Sequence, residues 1–235
     1  MNEFIIIVIC LFAMILLKIG LNLKFKDIKE LNNRKNQELI KMAEKFPSDE
    51  QICKKILEQK GRKDVNIKIN KEYDSCLYTI YDNTITIGKF KEEYIKIQTI
   101  AHECIHACQN KATLWFNFII SNIYNIYFII ICILTIFKKI SNTMLLTCIL
   151  IIIAIIKIVI RMYLENEAML KAKYEAKEYI EENKILTEDE EEKLLKEYNC
   201  INKIGIPFYT YTIINSEIIK IIIYQIISII LLYSI

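Results

Sequence analysis

The sequence predicts a mainly α-helical integral membrane protein, with about four transmembrane helices and a small α+β domain outside the bilayer. Three observations lead there. Of 235 residues 54% are hydrophobic and mean hydropathy is positive, yet 25% are charged, which fits neither a disordered tail nor a uniformly apolar pore. The hydrophobes gather into Ile-rich blocks that alternate with segments dense in Lys and Glu. Within the charged segments the apolar pattern switches between helical spacing and strict alternation. The net charge of +3 is spread over mixed-sign segments and makes no basic stripe, which sets nucleic acid aside as a partner.

Taken in order, residues 1–20 form an anchor whose apolar run is 4–19. Met1, Asn2 and Glu3 supply no Lys or Arg, and no small-residue cleavage site follows, so the run reads as a retained span and not a signal peptide. Residues 21–112 form the first soluble segment. It is expected to be helical over 25–60, with one break at 46–48 and a restart at Ser48, whose side chain can cap the backbone near Gln51. Gly61 ends that helix. Alternation at Val65, Ile67 and Ile69, and at Ile85 and Ile87, with 77–81 between them, predicts two or three short strands with a turn at Asp82-Asn83. Helical spacing returns over 91–112 and is expected to run straight into the second span.

Residues 113–160 form a transmembrane hairpin with apolar runs 114–137 and 144–160, closed by 138–143. Residues 161–203 are a second soluble segment: a long helix over 161–183, then a capping box at Thr187 and Glu190 that opens a helix to about Tyr198. The acidic run 188–192 reads as a solvated first turn favoured by the helix dipole. Residues 204–235 supply the last span. Lys157 is expected to snorkel, and Glu217 with Lys220 to form an i, i+3 pair. Lys and Arg crowd the span ends next to both soluble segments, while the other side offers Lys138 and Lys139. By the positive-inside rule this is a multi-pass cell-membrane protein with its soluble segments in the cytoplasm. Eight cysteines without disulfide-framework spacing agree with a reducing compartment.

The chain has two histidines, and both fall in His102-Glu103-Cys104-Ile105-His106. On a helix, positions i and i+4 share a face, so both imidazoles can reach one zinc ion. Glu103, beside the first, is placed to deprotonate a metal-bound water. A catalytic zinc site takes a third protein ligand and keeps a fourth position open. Cys104 and Cys108 lie on the other helix face and read as small packed hydrophobes. The remaining candidates are Glu165 and Glu167, which point apart. Glu165 is favoured because it continues the small-residue stripe Ala168, Ala172, Ala176, whereas Glu167 shares a more solvated face with Leu170, Lys171 and Tyr174. One zinc per chain is expected.

The stretch Ile100-Ala101-His102-Glu103-Cys104-Ile105-His106-Ala107-Cys108-Gln109 resembles the active-site helix of the YugP-type neutral zinc metallopeptidases of bacterial membranes, whose pattern is A-A-H-E-x-G-H-A-x-Q. Residues 52–88 resemble their helix, strand, Tyr-Asp turn and strand, and Glu165-Asn166-Glu167-Ala168 resembles their E-x-[DE]-A segment. The resemblance implies a zincin-like soluble domain, zinc on His102, His106 and Glu165, and Glu103 as general base in the hydrolysis of a peptide or membrane-protein substrate. It also implies that the strand at 84–88 pairs with the extended substrate. Ile105 departs from the pattern's Gly, and Met169 stands where related peptidases place an Asp that orients a ligand, so no partner for the histidines is identified. A stripe of Asn110, Thr113, Asn117, Ser121 and Asn125 enters the second span; interhelical hydrogen bonding is the simpler reading, a hydrated chamber the other. The competing functions are a catalytically inactive zinc-binding scaffold, against which an intact Glu103 argues, and a small transporter, against which the sparse charge within the spans argues.

Overall fold

The computed structural model describes residues 2–33, 36–139 and 142–233. Positions 140, 141, 234 and 235, which the expected hairpin loop and last span include, lie outside them, as do Met1, Arg34 and Lys35. The chain is mainly helical and divides into two compact units: 1–24, 115–163 and 207–235 form one, and 25–114 with 164–206 the other.

The first unit is a helical bundle. It contains α1 (Asn2–Gly20), most of α6 (Lys111–Ile136), the first half of α7 (Thr143–Asn183) and the last part of α8 (Glu188–Tyr233). Four helices are long and apolar enough to cross a membrane. At 1.5 Å per residue the 41 residues of α7 and the 46 of α8 extend about 60 and about 70 Å. A bilayer core of about 30 Å takes only part of each. The bundle core is Tyr124, Ile131, Leu150, Ala154, Ile221 and Tyr224 with Cys10. Two polar contacts tie its interior: Gln225 Nε2 donates to Thr147 Oγ1 at 2.6 Å, and Thr135 Oγ1 to the Ile131 carbonyl at 2.7 Å. Lys157 does not snorkel. It is buried and donates to Glu217 at 2.6 Å, and Glu217 also receives the expected bond from Lys220 at 3.1 Å.

The second unit carries α2 (Phe25–Asn33), α3 (Gln37–Glu44), α4 (Asp49–Gln59), the strands β1 (Asn66–Ile69), β2 (Leu77–Thr79) and β3 (Thr84–Ile87), then α5 (Lys96–Cys108). The expected helix over 25–60 is broken twice, because Asn36 as well as Ser48 caps a new start. Asn36 Oδ1 accepts from the amides of Glu38 and Leu39, and Ser48 forms a full capping box with Gln51. Gly61 adopts φ +69 just past α4, the left-handed turn that ends a helix.

The sheet has the order β1-β3-β2, with β1 parallel and β2 antiparallel to β3. Asp82-Asn83 makes the turn as expected, with Asn83 at φ 50. The reading of 84–88 as a substrate-pairing edge is corrected: β3 is the central strand, with Ile85 and Ile87 fully buried, and the edges belong to β1 and β2. At Gly88 a Cβ would press into the backbone carbonyls of Ser75 and Tyr73, the latter at 2.6 Å, so the loop 70–76 closes over β3 only if this residue is glycine.

Two helix boundaries also differ from expectation. α5 does not run into the second span. It ends at Cys108, Gln109 is extended at ψ 164, and Asn110 Oδ1 caps α6 through the Thr113 amide at 3.1 Å. The helix opened by the Thr187–Glu190 capping box continues past Tyr198 to Tyr233, carrying Pro207 in its interior. Ala168, Ala172 and Ala176 are fully buried as the stripe predicts, and this half of α7 is tied to α4 by Lys55 to Asn183 at 2.9 Å and Lys60 to Glu175 at 2.5 Å.

Candidate metal centre

Helix α5 is held from several sides before any functional group is considered. Ile97, Ile100, Ala101 and Cys104 are fully buried, and Cys104 Sγ lies 3.7 Å from Cys53 Sγ of α4. Cys104 thus packs as expected, whereas Cys108 is exposed. The C-terminal end of α5 is capped by Arg62, which donates to the Ala107 carbonyl and is itself fixed by Asp64 at 2.8 Å. That arrangement leaves the opposite face of α5, with His102 and His106, directed at α7.

There the two imidazoles meet Glu165. Nε2 of His102 and Nε2 of His106 are 3.0 Å apart, and Glu165 Oε2 lies 3.5 and 3.6 Å from them. His102, His106 and Glu165 are the group of potential metal-ligating side chains found among the described residues. Their side chains are 20, 13 and 16% exposed, partly shielded but reachable. Three potential ligand atoms thus converge on one point, where they could hold a metal ion.

Glu167 is accounted for differently. It accepts from Lys171 at 2.6 Å and from Gln109 at 3.0 Å, so it stands beside the cluster and not in it.

Gln109 is the functional side chain that reading the sequence missed. It is buried, its Oε1 lies 2.8 Å from His106 Nδ1, and its amide donates to the Leu164 carbonyl at 2.7 Å as well as to Glu167. Accepting from Nδ1–H fixes the tautomer that leaves the Nε2 lone pair free for a metal. The same amide group ties the end of α5 to the turn of α7 that bears Glu165. The signal was present: Gln109 is three residues beyond His106, and i, i+3 positions are helix neighbours.

Glu103 is not one of the three converging groups. It is buried and one carboxylate oxygen accepts from the Tyr78 amide at 2.7 Å. Because the Tyr78 N–H is given to Glu103, it projects from the β2 edge of the sheet, as alternate residues of an antiparallel edge strand do. Burial pushes the Glu103 carboxyl up from the usual range, an effect that His102, His106 and the Tyr78 amide oppose. For His106 burial acts downward, but the bond to Glu165, the charges of Glu103 and Glu165 and the bond to Gln109 outweigh it and hold its proton affinity above normal. Ile105, the bulky departure from glycine, is buried in packing.

Searches of protein-family models, curated proteins and solved structures find no match to this chain.

Proposed function

We propose that this chain is a multi-pass membrane zinc peptidase of the YugP type, in which His102, His106 and Glu165 hold one zinc ion and Glu103 is the general base. The observation that carries the reading is the ligand triangle. Its edges of 3.0, 3.5 and 3.6 Å bracket the roughly 3.3 Å edge of a tetrahedron with bonds of about 2.0 Å, the geometry zinc prefers. The orientation of His106 by Gln109 supports it, because zinc-binding imidazoles characteristically donate their other N–H to a fixed acceptor.

Zinc, when bound, supplies a Lewis acid and a water acidified to near neutrality. The chain's own residues supply the rest. Glu103, its basicity raised by burial, takes the proton of the attacking water and delivers it to the leaving amine. The edge of β2, whose Tyr78 N–H is held by Glu103, offers its remaining outward backbone groups to an extended peptide, and strand addition of this kind recognises main chain and tolerates varied side chains. The excess of Lys and Arg at the span ends next to the soluble segments supports a cytoplasmic site.

Zinc analysis of the purified protein beside Glu165→Ala and Glu167→Ala tests the metal site. About one zinc per chain in the wild type and in Glu167→Ala, with loss in Glu165→Ala, is expected; a folded, zinc-free wild type sinks the proposal.

The hydrogen bond between Glu103 and the Tyr78 amide favours a second reading, an inactive zinc-binding scaffold in which Glu103 only fastens α5 to the sheet. Peptide-library hydrolysis by the zinc-loaded wild type and by Glu103→Gln separates the two. Cleavage abolished by the substitution, with zinc retained, supports the peptidase.

A further inference from the structure

In the helical bundle, Lys157 and Lys220 both bind Glu217, at 2.6 and 3.1 Å, and both ammonium groups stand 4.8 Å from the centre of the Tyr124 ring. Among the described residues two cations share one carboxylate, and an incompletely compensated charge within a bilayer is costly. The two lysines are not equivalent. Lys157 and Glu217 have side chains 6 and 5% exposed, whereas Lys220 is 27% exposed.

An ammonium group has three N–H donors. Lys220 directs two of them at Glu217 and at Asn125 Oδ1, the latter at 3.0 Å, and its side chain is open to the surroundings on one side. From that level an exposed row of Ile219, Ile223, Ile226 and Ile230 runs along α8 at 43, 42, 44 and 57% exposure. Their spacing of three and four residues puts them on one helix face. On α7, Lys157 lies about 20 Å from the hairpin end at Thr143, in the third of a core of about 30 Å that ends at Arg161. Lys220 shares Glu217 with Lys157 and so stands at the same level, from which its flexible stem reaches the headgroup layer.

Resting on the membrane reading, we propose that Lys220, braced by Asn125, Glu217 and the Tyr124 ring, binds the phosphate of an anionic phospholipid, whose acyl chain lies along the isoleucine row. The lipid supplies a further negative charge. The cluster holds one lysine for the bundle and presents the other to the bilayer.

The test uses the full-length protein in nanodiscs of phosphatidylcholine alone and of phosphatidylcholine mixed equally with phosphatidylglycerol. Incorporation into nanodiscs checks the membrane reading first, separately from the lipid site. The thermal midpoint of the wild type is expected to rise with phosphatidylglycerol. Lys220→Gln should lose most of that rise, while Lys220→Arg and Lys24→Gln, the latter an exposed lysine at another span end, keep it. Inorganic phosphate added to phosphatidylcholine discs should change nothing. Native mass spectrometry of the wild type from mixed discs gives a readout that needs no variant, with phosphatidylglycerol retained over phosphatidylcholine. An unchanged midpoint, a full rise in Lys220→Gln, the same rise with inorganic phosphate, or equal retention of both lipids overturns the proposal.

Discussion

Gln109 makes three polar contacts, and each has a different consequence when lost. Gln109→Ala frees the His106 ring to rotate and to exchange tautomers, so zinc affinity should fall by about 10- to 100-fold. Competition with a chelator of known affinity measures this. Glu103→Gln, in contrast, should leave zinc content unchanged, because Glu103 is bonded to the Tyr78 amide and not to the ligand cluster. The residue scale is also where the sequence was most legible. Both histidines, Glu165 over Glu167, and the capping roles of Ser48 and Thr187 follow from spacing, since helix periodicity alone decides which side chains share a face. The Tyr78 amide that meets Glu103 could not be read, because a backbone donor leaves no trace in residue identity.

Helix α7 brings Glu165 into place through the buried stripe Ala168, Ala172 and Ala176. Ala172→Leu adds bulk to a close-packed contact and should cost about 1–3 kcal/mol by overpacking. It should also lower zinc occupancy, which a thermal melt with and without zinc would reveal. Ser48→Ala removes the capping box of α4 and should cost about 1 kcal/mol without moving the ligands. The stripe was visible in advance because small residues at helical spacing have few other uses. The order of the strands was not: three short segments of similar composition pair by long-range geometry, and nothing in Thr84, Ile85, Thr86 or Ile87 distinguishes a central strand except burial. The end of α5 was misread for a related reason. Asn110 has the same polar character as a stripe residue within a span, but its side chain caps the following helix.

At the scale of the molecule, the bundle depends on a buried charge cluster that hydropathy averages conceal. Glu217→Ala would strand two lysines that share it and should cost on the order of 3–5 kcal/mol, detectable as a lowered melting temperature. The expected snorkelling of Lys157 failed because a partner for it lay 60 residues away on another helix, a pairing that sequence distance hides. Orientation is measured by thiol labelling in intact cells. Cys53 is fully buried and cannot report, but Cys108 is exposed; in a chain retaining only that cysteine it should resist a membrane-impermeant reagent, and Lys139→Cys introduced into a cysteine-free chain should react. The placement of the ligands also sets an order in time. His102 and His106 precede the hairpin and Glu165 follows it, so a chain emerging from the ribosome carries two of the three candidate ligands until the hairpin has been made. On the proposed reading, a nascent chain released before position 165 lacks the third ligand, so metal capture waits for the hairpin and precedes the last apolar helix.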